Sequence, residues 1–305
     1  MHSTQPRYNK LPPQASLQSA WQLLTRQLEA AGIDCARQES RLVLQHATRQ
    51  TPADFFAALQ RPATEEEAIA ISSIVARRLH REPLQYILNS AYFYGREYYV
   101  DPTVLIPRPE TELIIELLAD LPGTHGEGTT WIGDIGTGSG AIAVTLACEL
   151  QQCRIVAVDA SSAAVRVARG NAVRHGVSDR VHCICGDLLA PLAAKLDVLV
   201  ANLPYVPSAE CSSLSPEVAQ FEPRAALDGG IDGLDVVSRL CTQAAAAVHP
   251  GGRLLLEVGI NQARPVMDLL RQSGDWEALA SNPDLAGIPR VVTARRAGIA
   301  VHPRG

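Results

Sequence analysis

The fold of this chain is decided by ten residues near its middle, Trp131-Ile132-Gly133-Asp134-Ile135-Gly136-Thr137-Gly138-Ser139-Gly140. Apolar residues that lead into closely spaced glycines predict a β-strand followed by a tight turn and then a helix. Glycine suits this turn because, without a Cβ, its backbone turns sharply and lets a ligand lie against it. The spacing is G-x-G-x-G and differs from the G-x-G-x-x-G of dinucleotide-binding proteins, so by itself the motif identifies no particular ligand.

Strands and helices alternate on both sides of this stretch. Apolar runs predict strands over residues 130–135, 154–159, 180–186, 196–201 and 252–258. Amphipathic patterns predict helices over 110–120, 139–150, 161–175, 232–248 and 261–273, and one or two more strands are expected over 276–302. Buried strands separated by helices form mostly parallel sheets with helices on both faces, so an α/β fold is predicted.

The part of the chain before this pattern has a different periodicity. Over residues 16–80 apolar side chains recur at intervals of three and four, which predicts a small all-helical domain. Over 83–109 clustered aromatic residues are interleaved with turn-forming residues, which predicts a β-hairpin. The predicted organisation is a flexible tail over 1–15, a helical domain over 16–88, a hairpin connector over 89–108 and the α/β domain over 109–305.

Composition and charge limit the class of protein. The chain has 305 residues, of which 47% are hydrophobic and 19% charged, as in ordinary globular proteins. Its net charge of −5 argues against a large nucleic-acid footprint, which usually needs a basic surface. No apolar run reaches the roughly 20 residues of a membrane span, and no signal peptide is recognised at the N-terminus. We therefore expect a cytoplasmic protein without a membrane partner or stable nucleic-acid binding.

The seven cysteines are spread along the chain, which favours reduced thiols over a disulfide framework. The close pair Cys183 and Cys185 lies on a predicted strand beside His182, where a metal site is conceivable. Four ligands at the spacing of a structural zinc site are missing, however, so no metal is expected.

Acidic residues stand at the ends of three predicted strands: Asp134, Asp159 and Asp187. Because the carboxyl ends of parallel strands meet at one edge of the sheet, Asp159 can bind ribose hydroxyls and Asp187 an adenine amino group. The candidates are a nicotinamide dinucleotide and S-adenosylmethionine. Asp134 would attract a sulfonium cation and repel a pyrophosphate, which favours S-adenosylmethionine, although Asp134 can also be a plain strand-end cap. The predicted cofactor site comprises Asp134, Gly136, Thr137, Gly138, Ser139, Gly140, Asp159, Asp187, Leu188 and Asn202.

The strand over 196–201 leads into a second motif, Asn202-Leu203-Pro204-Tyr205. A planar amide or aromatic amine is a poor nucleophile. A protein that accepts hydrogen bonds from both N–H groups of such a substrate orients it and raises the electron density on its nitrogen. The Asn202 side-chain oxygen and the carbonyl of Leu203 can accept these bonds, and Pro204 holds residue 203 extended. Tyr205 can stack on the planar group. Asn202, Pro204 and Tyr205 are predicted as catalytic, and Asn202, Leu203, Pro204, Tyr205, Pro109 and Glu110 as the substrate site.

These motifs resemble those of the N5-glutamine methyltransferases, in which an Asn-Pro-Pro-Tyr motif binds a glutamine side chain. The similarity extends over residues 16–292, with specific stretches at 81–87, 105–112, 222–230, 257–259 and 284–290. Within the family the chain is most similar to the enzymes that act on peptide chain release factors. The enzymes that act on a ribosomal protein differ where this chain has Ile-Pro-Arg-Pro-Glu-Thr-Glu.

The resemblance implies a class I methyltransferase with a Rossmann-like seven-stranded sheet and a small N-terminal helical domain joined to it by a β-hairpin. It implies an enzyme that methylates the side-chain nitrogen N5 of the glutamine in the Gly-Gly-Gln tripeptide of release factors. S-adenosyl-L-methionine would be converted to S-adenosyl-L-homocysteine. In the family the helical domain contacts the release factor, and the cofactor loop, ribose acid and glutamine motif correspond to 136–140, Asp159 and 202–205. We expect a monomer.

Leu203 departs from the family, which usually has a proline at that position. Asn-Leu-Pro-Tyr also occurs in rRNA adenine dimethyltransferases, so an N6-adenine methyltransferase acting on rRNA or DNA is the alternative. The acidic net charge and the stretches 105–112 and 222–230 argue against it. A cofactor-binding regulator without catalysis is a third reading, which the intact Asn202 and Pro204 oppose. Position 203 contributes a backbone carbonyl, which leucine also provides. Leucine instead of proline at this position should cost only about 0.4–1 kcal/mol of free energy, because the backbone is less restricted before it binds the substrate.

Overall fold

The computed structural model describes residues 11–12, 14–119 and 128–298. The chain divides into two compact units, Met1–Asn89 and Ser90–Gly305. The predicted tail over 1–15 falls mostly outside the described residues.

The first unit is helical, as its periodicity predicts. Its helices are α1 (Leu17–Ala30), α2 (Ala36–Thr48), α3 (Pro52–Ala57), α4 (Glu65–Leu79) and α5 (Leu84–Leu88). Thr64 begins α4 with a capping box, since its hydroxyl accepts from the Glu67 amide and the Glu67 carboxylate accepts from the Thr64 amide. The core of this unit contains fully buried side chains such as Leu24 and Phe55, which lie on the apolar faces of amphipathic helices.

The aromatic segment that follows contains less β-structure than the sequence predicts. Strands β1 (Ala91–Phe93) and β2 (Arg96–Tyr98) form an antiparallel hairpin. The prediction is too wide, because residues 84–88 are helix α5 and no strand is described over residues 99–108. The aromatic side chains instead serve the core: Phe93 and Tyr98 are buried and their rings pack edge to face.

The second unit is built on a seven-stranded sheet with the strand order β5-β4-β3-β6-β7-β9-β8. Its strands are β3 (Thr130–Ile135), β4 (Cys153–Asp159), β5 (Val181–Cys185), β6 (Leu196–Ala201), β7 (Val248–Glu257), β8 (Trp276–Pro283) and β9 (Pro289–Arg296). Strands β3 to β7 are parallel, and β9 and β8 add an antiparallel edge. The predicted α/β fold is confirmed, and the strands expected after residue 276 are β8 and β9.

Helices cover both faces of the sheet: α6 (Glu112–Ala119), α7 (Ala141–Glu149), α8 (Ser162–Arg174), α10 (Asp235–Ala247) and α11 (Ala263–Ser273). The short helix α9 (Pro216–Phe221) has no buried residue. Val198 and Val200 of β6 join the core that contains α6 and α7. Their neighbours Leu199 and Ala201 join the core that contains α10 and α11. Because successive side chains of a strand point to opposite faces, a strand buried on both faces becomes a continuous apolar run. None of the helices within the described ranges is long and apolar enough to span a membrane.

The sheet changes direction between β3 and β6. From β3 the chain first adds β4 and β5 on one side, and then returns to add β6 on the other. The last residue of β3, Ile135, pairs with Val158 of β4 and with Ala201 of β6. The residues that follow these three positions therefore meet at the carboxyl edge of the sheet, where α/β folds bind their ligands.

Candidate active site

A cavity of about 360 Å³ opens at this edge of the sheet, within the range of small-molecule sites. The predicted site residues in its wall are Gly136, Thr137, Gly138, Ser139, Asp159, Asp187, Leu188, Asn202, Leu203 and Pro204. The other predicted residues, Asp134, Gly140, Tyr205, Pro109 and Glu110, are not part of the wall. The structure therefore brings together most of the residues that the two motifs predict.

The glycine loop joins β3 to α7 through left-handed backbone conformations, with φ of +76° at Gly136, +55° at Gly138 and +79° at Gly140. A Cβ at Gly136 would lie 2.9 Å from Cδ2 of Leu203. A Cβ at Gly140 would lie 3.0 Å from that of Ala168 on α8, so Gly140 packs against a helix instead of facing the cavity. The loop thus needs glycine both for its backbone and for its close contacts.

Asp159 ties the end of β4 to the glycine loop. Its Oδ2 accepts from the amide of Gly138 at 2.9 Å, and its Oδ1 accepts from the amide of Ser161 at 2.8 Å. A carboxylate has about four acceptor positions, so both oxygens can accept further hydrogen bonds from a ligand in the cavity. No described basic side chain forms an ion pair with Asp159.

Asp134 lies beneath the loop, where it is 1% exposed. Its Oδ2 accepts from the Thr137 hydroxyl at 2.6 Å and from the Ala143 amide in α7 at 3.2 Å. Burial raises the pKa of Asp134 to about 7, the charge of Asp159 adds to this rise, and the two hydrogen bonds oppose it. The Oδ2 atom of Asp134 is thus turned toward the loop and the start of α7, and its role at the cofactor stays a prediction.

Asp187 lies beyond the end of β5, and its carboxylate is ion-paired with Arg239 of α10. Both side chains are more than half exposed, so the pair is solvated. Arg239 lines the cavity, and sequence reasoning did not single it out. The adjacent Leu188 is buried with a left-handed φ of +49° and adds an apolar surface to the wall.

Asn202 is held by residues from two other elements. Its Nδ2 donates to the Thr111 hydroxyl at 3.0 Å, and that hydroxyl donates to Oε2 of Glu257 at 2.6 Å. The Tyr205 hydroxyl donates to Oε1 of Glu257 at 3.4 Å. Thr111 and Glu257 are each 4% exposed. Neither was predicted as a site residue, although both lie in stretches, 105–112 and 257–259, that carry the family resemblance.

Glu257 is a buried acid with an unusual environment. Burial raises the pKa of Glu257 to about 7, and the hydrogen bonds from Thr111 and Tyr205 oppose this rise. The charge of Glu110 raises this pKa further, whereas the charge of Arg290 lowers it. Burial also raises the pKa of Tyr205, so its hydroxyl remains a donor near neutral pH. The Tyr205 hydroxyl therefore points toward Glu257, and the stacking role of its ring stays a prediction.

The backbone after Asn202 is packed against a second glycine segment. The Val206 amide donates to Leu227 O, and the Gly229 amide donates to Val206 O. A Cβ at Gly229 would lie 2.6 Å from the carbonyl oxygen of Pro204, and one at Gly233 would lie 2.2 Å from that of Tyr205. Only glycine can approach a backbone this closely, so the segment over 229–233 holds the motif in place.

Leu203 has a role beyond its carbonyl group. Its side chain is buried at 6% exposure and belongs to the core that contains α10 and α11. It also contacts the cofactor loop at Gly136. The two motifs predicted from the sequence thus touch each other through this side chain.

Pro109 and Glu110 are exposed and form the first residues of a 3₁₀ turn that ends at Thr111. Their neighbour Arg108 lines the cavity instead and is paired with Glu222 at 2.5 Å. Glu222 is buried and also accepts from the Ile106 amide at 3.3 Å. Burial raises the pKa of Glu222, and Arg108 opposes this rise. The pair joins the stretches 105–112 and 222–230 beside the cavity.

Comparison with known proteins identifies the class of both parts of the chain. Residues 19–88 match the PrmC N-terminal domain, and residues 111–216 match the methyltransferase small domain. A methyltransferase from Pyrococcus furiosus of known structure is 15% identical with a TM-score of 0.51, and the match covers 74% of this chain and 100% of that one. A 16S rRNA methyltransferase of T. thermophilus in complex with AdoMet and guanosine is 22% identical with a TM-score of 0.50. That match covers 68% of this chain and 49% of the T. thermophilus chain. The fold is that of the class I methyltransferases, and the match to the methyltransferase small domain agrees with it.

A release factor glutamine methyltransferase of Koribacter versatilis is 38% identical to this chain, and the match covers 92% of this chain and 99% of the relative. One of Geobacter sulfurreducens is 41% identical, and the match covers 88% of this chain and 92% of the relative. This chain belongs to the release factor glutamine methyltransferase family. The resemblance seen in the motifs is therefore confirmed. These relatives do not favour the N6-adenine alternative.

Proposed function

We propose that this chain transfers a methyl group from S-adenosylmethionine to the side-chain nitrogen of a glutamine in a peptide chain release factor. The observation that carries this proposal is the Asn202 amide, which lines the cavity while its nitrogen is bound to Thr111. Its oxygen is thereby left as an acceptor for an amide N–H. Membership of the family supports glutamine as the acceptor, and the Gly-Gly-Gln tripeptide is the expected segment.

The cavity suits a cationic nucleoside. Asp159 lines it with acceptor positions to spare, and Asp134 lies beneath its floor with an Oδ1 that has no described hydrogen-bond partner. Asp159 is not paired with a described cation, so its negative charge in the cavity wall favours a positively charged ligand. Bound there, S-adenosylmethionine would supply an electrophilic methyl group and leave as S-adenosylhomocysteine. We assign Asp159 to the ribose hydroxyls and residues 136–139 to the loop that lies against the ligand.

The residues of the second motif would orient the acceptor. Asn202 Oδ1 accepts one N–H of the glutamine amide, and the carbonyl of Leu203 accepts the other. Pro204 restricts residue 203 to extended conformations, which limits where that carbonyl points. Holding both N–H groups places the nitrogen correctly and favours the positive charge that develops on it. The nitrogen becomes more acidic as its new bond forms, so one proton can leave to solvent without a strong general base.

We place substrate recognition in the helical domain over 16–88 and chemistry in the domain over 109–305. The match of residues 19–88 to the PrmC N-terminal domain supports this division. Release factors act on ribosomes, so the enzyme would work in the cytoplasm, and we expect it to be a monomer.

Incubation with labelled S-adenosylmethionine tests the proposal. The protein is offered a release factor, the same release factor with the glutamine of Gly-Gly-Gln replaced by glutamate, or small-subunit rRNA. We expect label only in the first, because the glutamate variant has no amide nitrogen. Label in rRNA, or equal label in both release factors, would refute it.

A further inference from the structure

Three residues that are distant in sequence form one chain of hydrogen bonds. Glu257 ends β7, Thr111 precedes α6 and Asn202 follows β6. Thr111 Oγ1 lies 2.6 Å from Glu257 Oε2 and 3.0 Å from Asn202 Nδ2, across separations of 146 and 91 residues. Thr111 and Asn202 both lie in the cavity wall, and the Asn202 amide at the end of the chain has a donor end and an acceptor end on separate atoms.

The direction of these hydrogen bonds follows from counting protons. An ionised carboxylate only accepts, so Glu257, when it is ionised, receives the single proton of the Thr111 hydroxyl. The Thr111 oxygen can then only accept, so its partner must be the NH₂ group of Asn202. The amide oxygen is consequently turned away from Thr111 and is available to the cavity.

We propose that Glu257 and Thr111 are positioning residues that set which end of the Asn202 amide faces the substrate. The inference rests on the proposed function, because an amide substrate presents N–H donors and needs an acceptor opposite them. Reversal of the Asn202 amide would place its NH₂ group against the substrate NH₂ group. Two donors would then face each other, and the acceptor nitrogen would be bound less well and held in the wrong direction.

The protonation state of Glu257 decides between the two orientations. A neutral Glu257 can donate to Thr111, whose hydroxyl proton is then free to point to Asn202 and to select the amide oxygen. The groups that face Glu257 are the Thr111 and Tyr205 hydroxyls, with Glu110 and Arg290 acting through their charges. Arg290 is hydrogen-bonded to Asp284, so it does not neutralise Glu257 by direct contact.

Stability does not explain this arrangement. No described cation forms an ion pair with Glu257, and a buried carboxylate held only by hydroxyl groups costs free energy relative to an apolar side chain of similar size. Such a group is retained where its acceptor character is needed. The position of the cluster next to Asn202 identifies that need.

Substitution of Thr111 tests the inference. Thr111→Val keeps the shape of the side chain but removes both hydrogen bonds, whereas Thr111→Ser keeps the hydroxyl. Thr145→Val is the matched control, because Thr145 is another buried threonine and its hydroxyl is bonded to that of Tyr98 at 2.7 Å, but it is not part of the cavity wall. Each variant is assayed for kcat and KM on a release factor, for cofactor affinity by calorimetry and for thermal stability.

We expect Thr111→Val to lower kcat by about tenfold to a hundredfold, the range expected when a reacting group is misoriented. Its cofactor affinity should change by less than about twofold, since Thr111 does not bond to Asp159 or the glycine loop. Thr111→Ser should recover most of kcat, and Thr145→Val should lose stability but not kcat. Equal kcat in Thr111→Val and Thr145→Val would overturn the inference.

A second measurement needs no substrate and separates this inference from the proposed function. The side-chain ¹⁵N–¹H signals of Asn202 are identified by their loss in Asn202→Asp and followed from pH 5.5 to 8.5. We expect them to shift with the ionisation of Glu257 in the wild type and to stay constant in Glu257→Gln. Constant signals in the wild type would refute the positioning role. If the signals shift but no release factor is labelled, the proposed function fails while the coupling of Glu257 to Asn202 stands.

Discussion

Replacing Gly136 by alanine should connect the two motifs in a measurable way. Gly136 has a left-handed φ of +76°, and a Cβ there would lie 2.9 Å from Cδ2 of Leu203 and 3.4 Å from the carbonyl oxygen of Asn202. The new methyl group would therefore press on the residue that follows Asn202. Both the stability of the second unit and the geometry of the active site should respond.

The expected magnitude follows from these two contacts. The left-handed backbone costs an alanine about 1–2 kcal/mol. Moving the buried Leu203 side chain away from its preferred rotamer costs about 0.5–1.5 kcal/mol more. Gly136→Ala should thus lower the free energy of unfolding by about 1.5–3.5 kcal/mol in total. It should also slow methyl transfer by about tenfold or more, since small displacements of positioning groups are costly.

Gly95→Ala is the matched control. Gly95 has a similar φ of +69° in the turn between β1 and β2, but no atom lies within 4 Å of its Cβ position. It should therefore show the backbone cost of about 1–2 kcal/mol without the steric cost. Free energies of unfolding from urea denaturation and rates of methyl transfer are compared for both variants, and for Leu203→Val with and without Gly136→Ala.

Because valine lacks the Cδ atoms of leucine, Leu203→Val should relieve the new contact. The double variant should be more stable than the sum of the single effects predicts, by about 0.5 kcal/mol or more. The reasoning is refuted if the two substitutions are additive and Gly136→Ala costs no more than Gly95→Ala.

Three further predictions concern individual residues. Asn202→Ala should abolish methyl transfer with little loss of cofactor affinity by calorimetry, and near wild-type transfer would contradict the acceptor role. Asp159→Ala should raise the cofactor dissociation constant, since it removes a cavity-lining acceptor and the bond that holds Gly138; an unchanged constant would contradict the ribose assignment. Burial raises the pKa of Glu257 to about 7, so its carboxylate is ionised above that pH and becomes protonated below it. Wild-type kcat should therefore fall about tenfold from pH 8 to pH 6, and this fall should be absent in Glu257→Gln. A step that persists in Glu257→Gln would assign the ionisation to another group.

Regular elements were the most predictable part of the fold. The strands over 130–135 and 196–201 occur with the predicted bounds because a strand buried on both faces is a continuous apolar run. Short elements were missed: α5 lies in a segment that was predicted as a hairpin, and α9 was not predicted. Helices of five or six residues show too few turns for a periodic pattern, so the sequence carries little signal for them.

Within the candidate site, residues that directly follow a strand were predictable and their partners were not. Asp159 and Asn202 lie where their strands end. In a parallel sheet both residues come to the carboxyl edge, whatever the order of the strands. Arg239 reaches Asp187 from a helix 52 residues away, and nothing local indicates that pairing. The bond of Asp134 to the Ala143 amide was likewise not predictable, since Ala143 belongs to the next helix.

The sequence by itself determined the class of fold and the family, and it predicted a candidate site at the carboxyl edge of the sheet. These properties depend on the order of apolar runs, glycines and strand-end polar residues, which are read along the chain. Only the tertiary structure decided which end of the Asn202 amide faces the cavity. That orientation depends on the single proton of Thr111 and on the buried Glu257, which the fold brings together from across 146 residues of sequence.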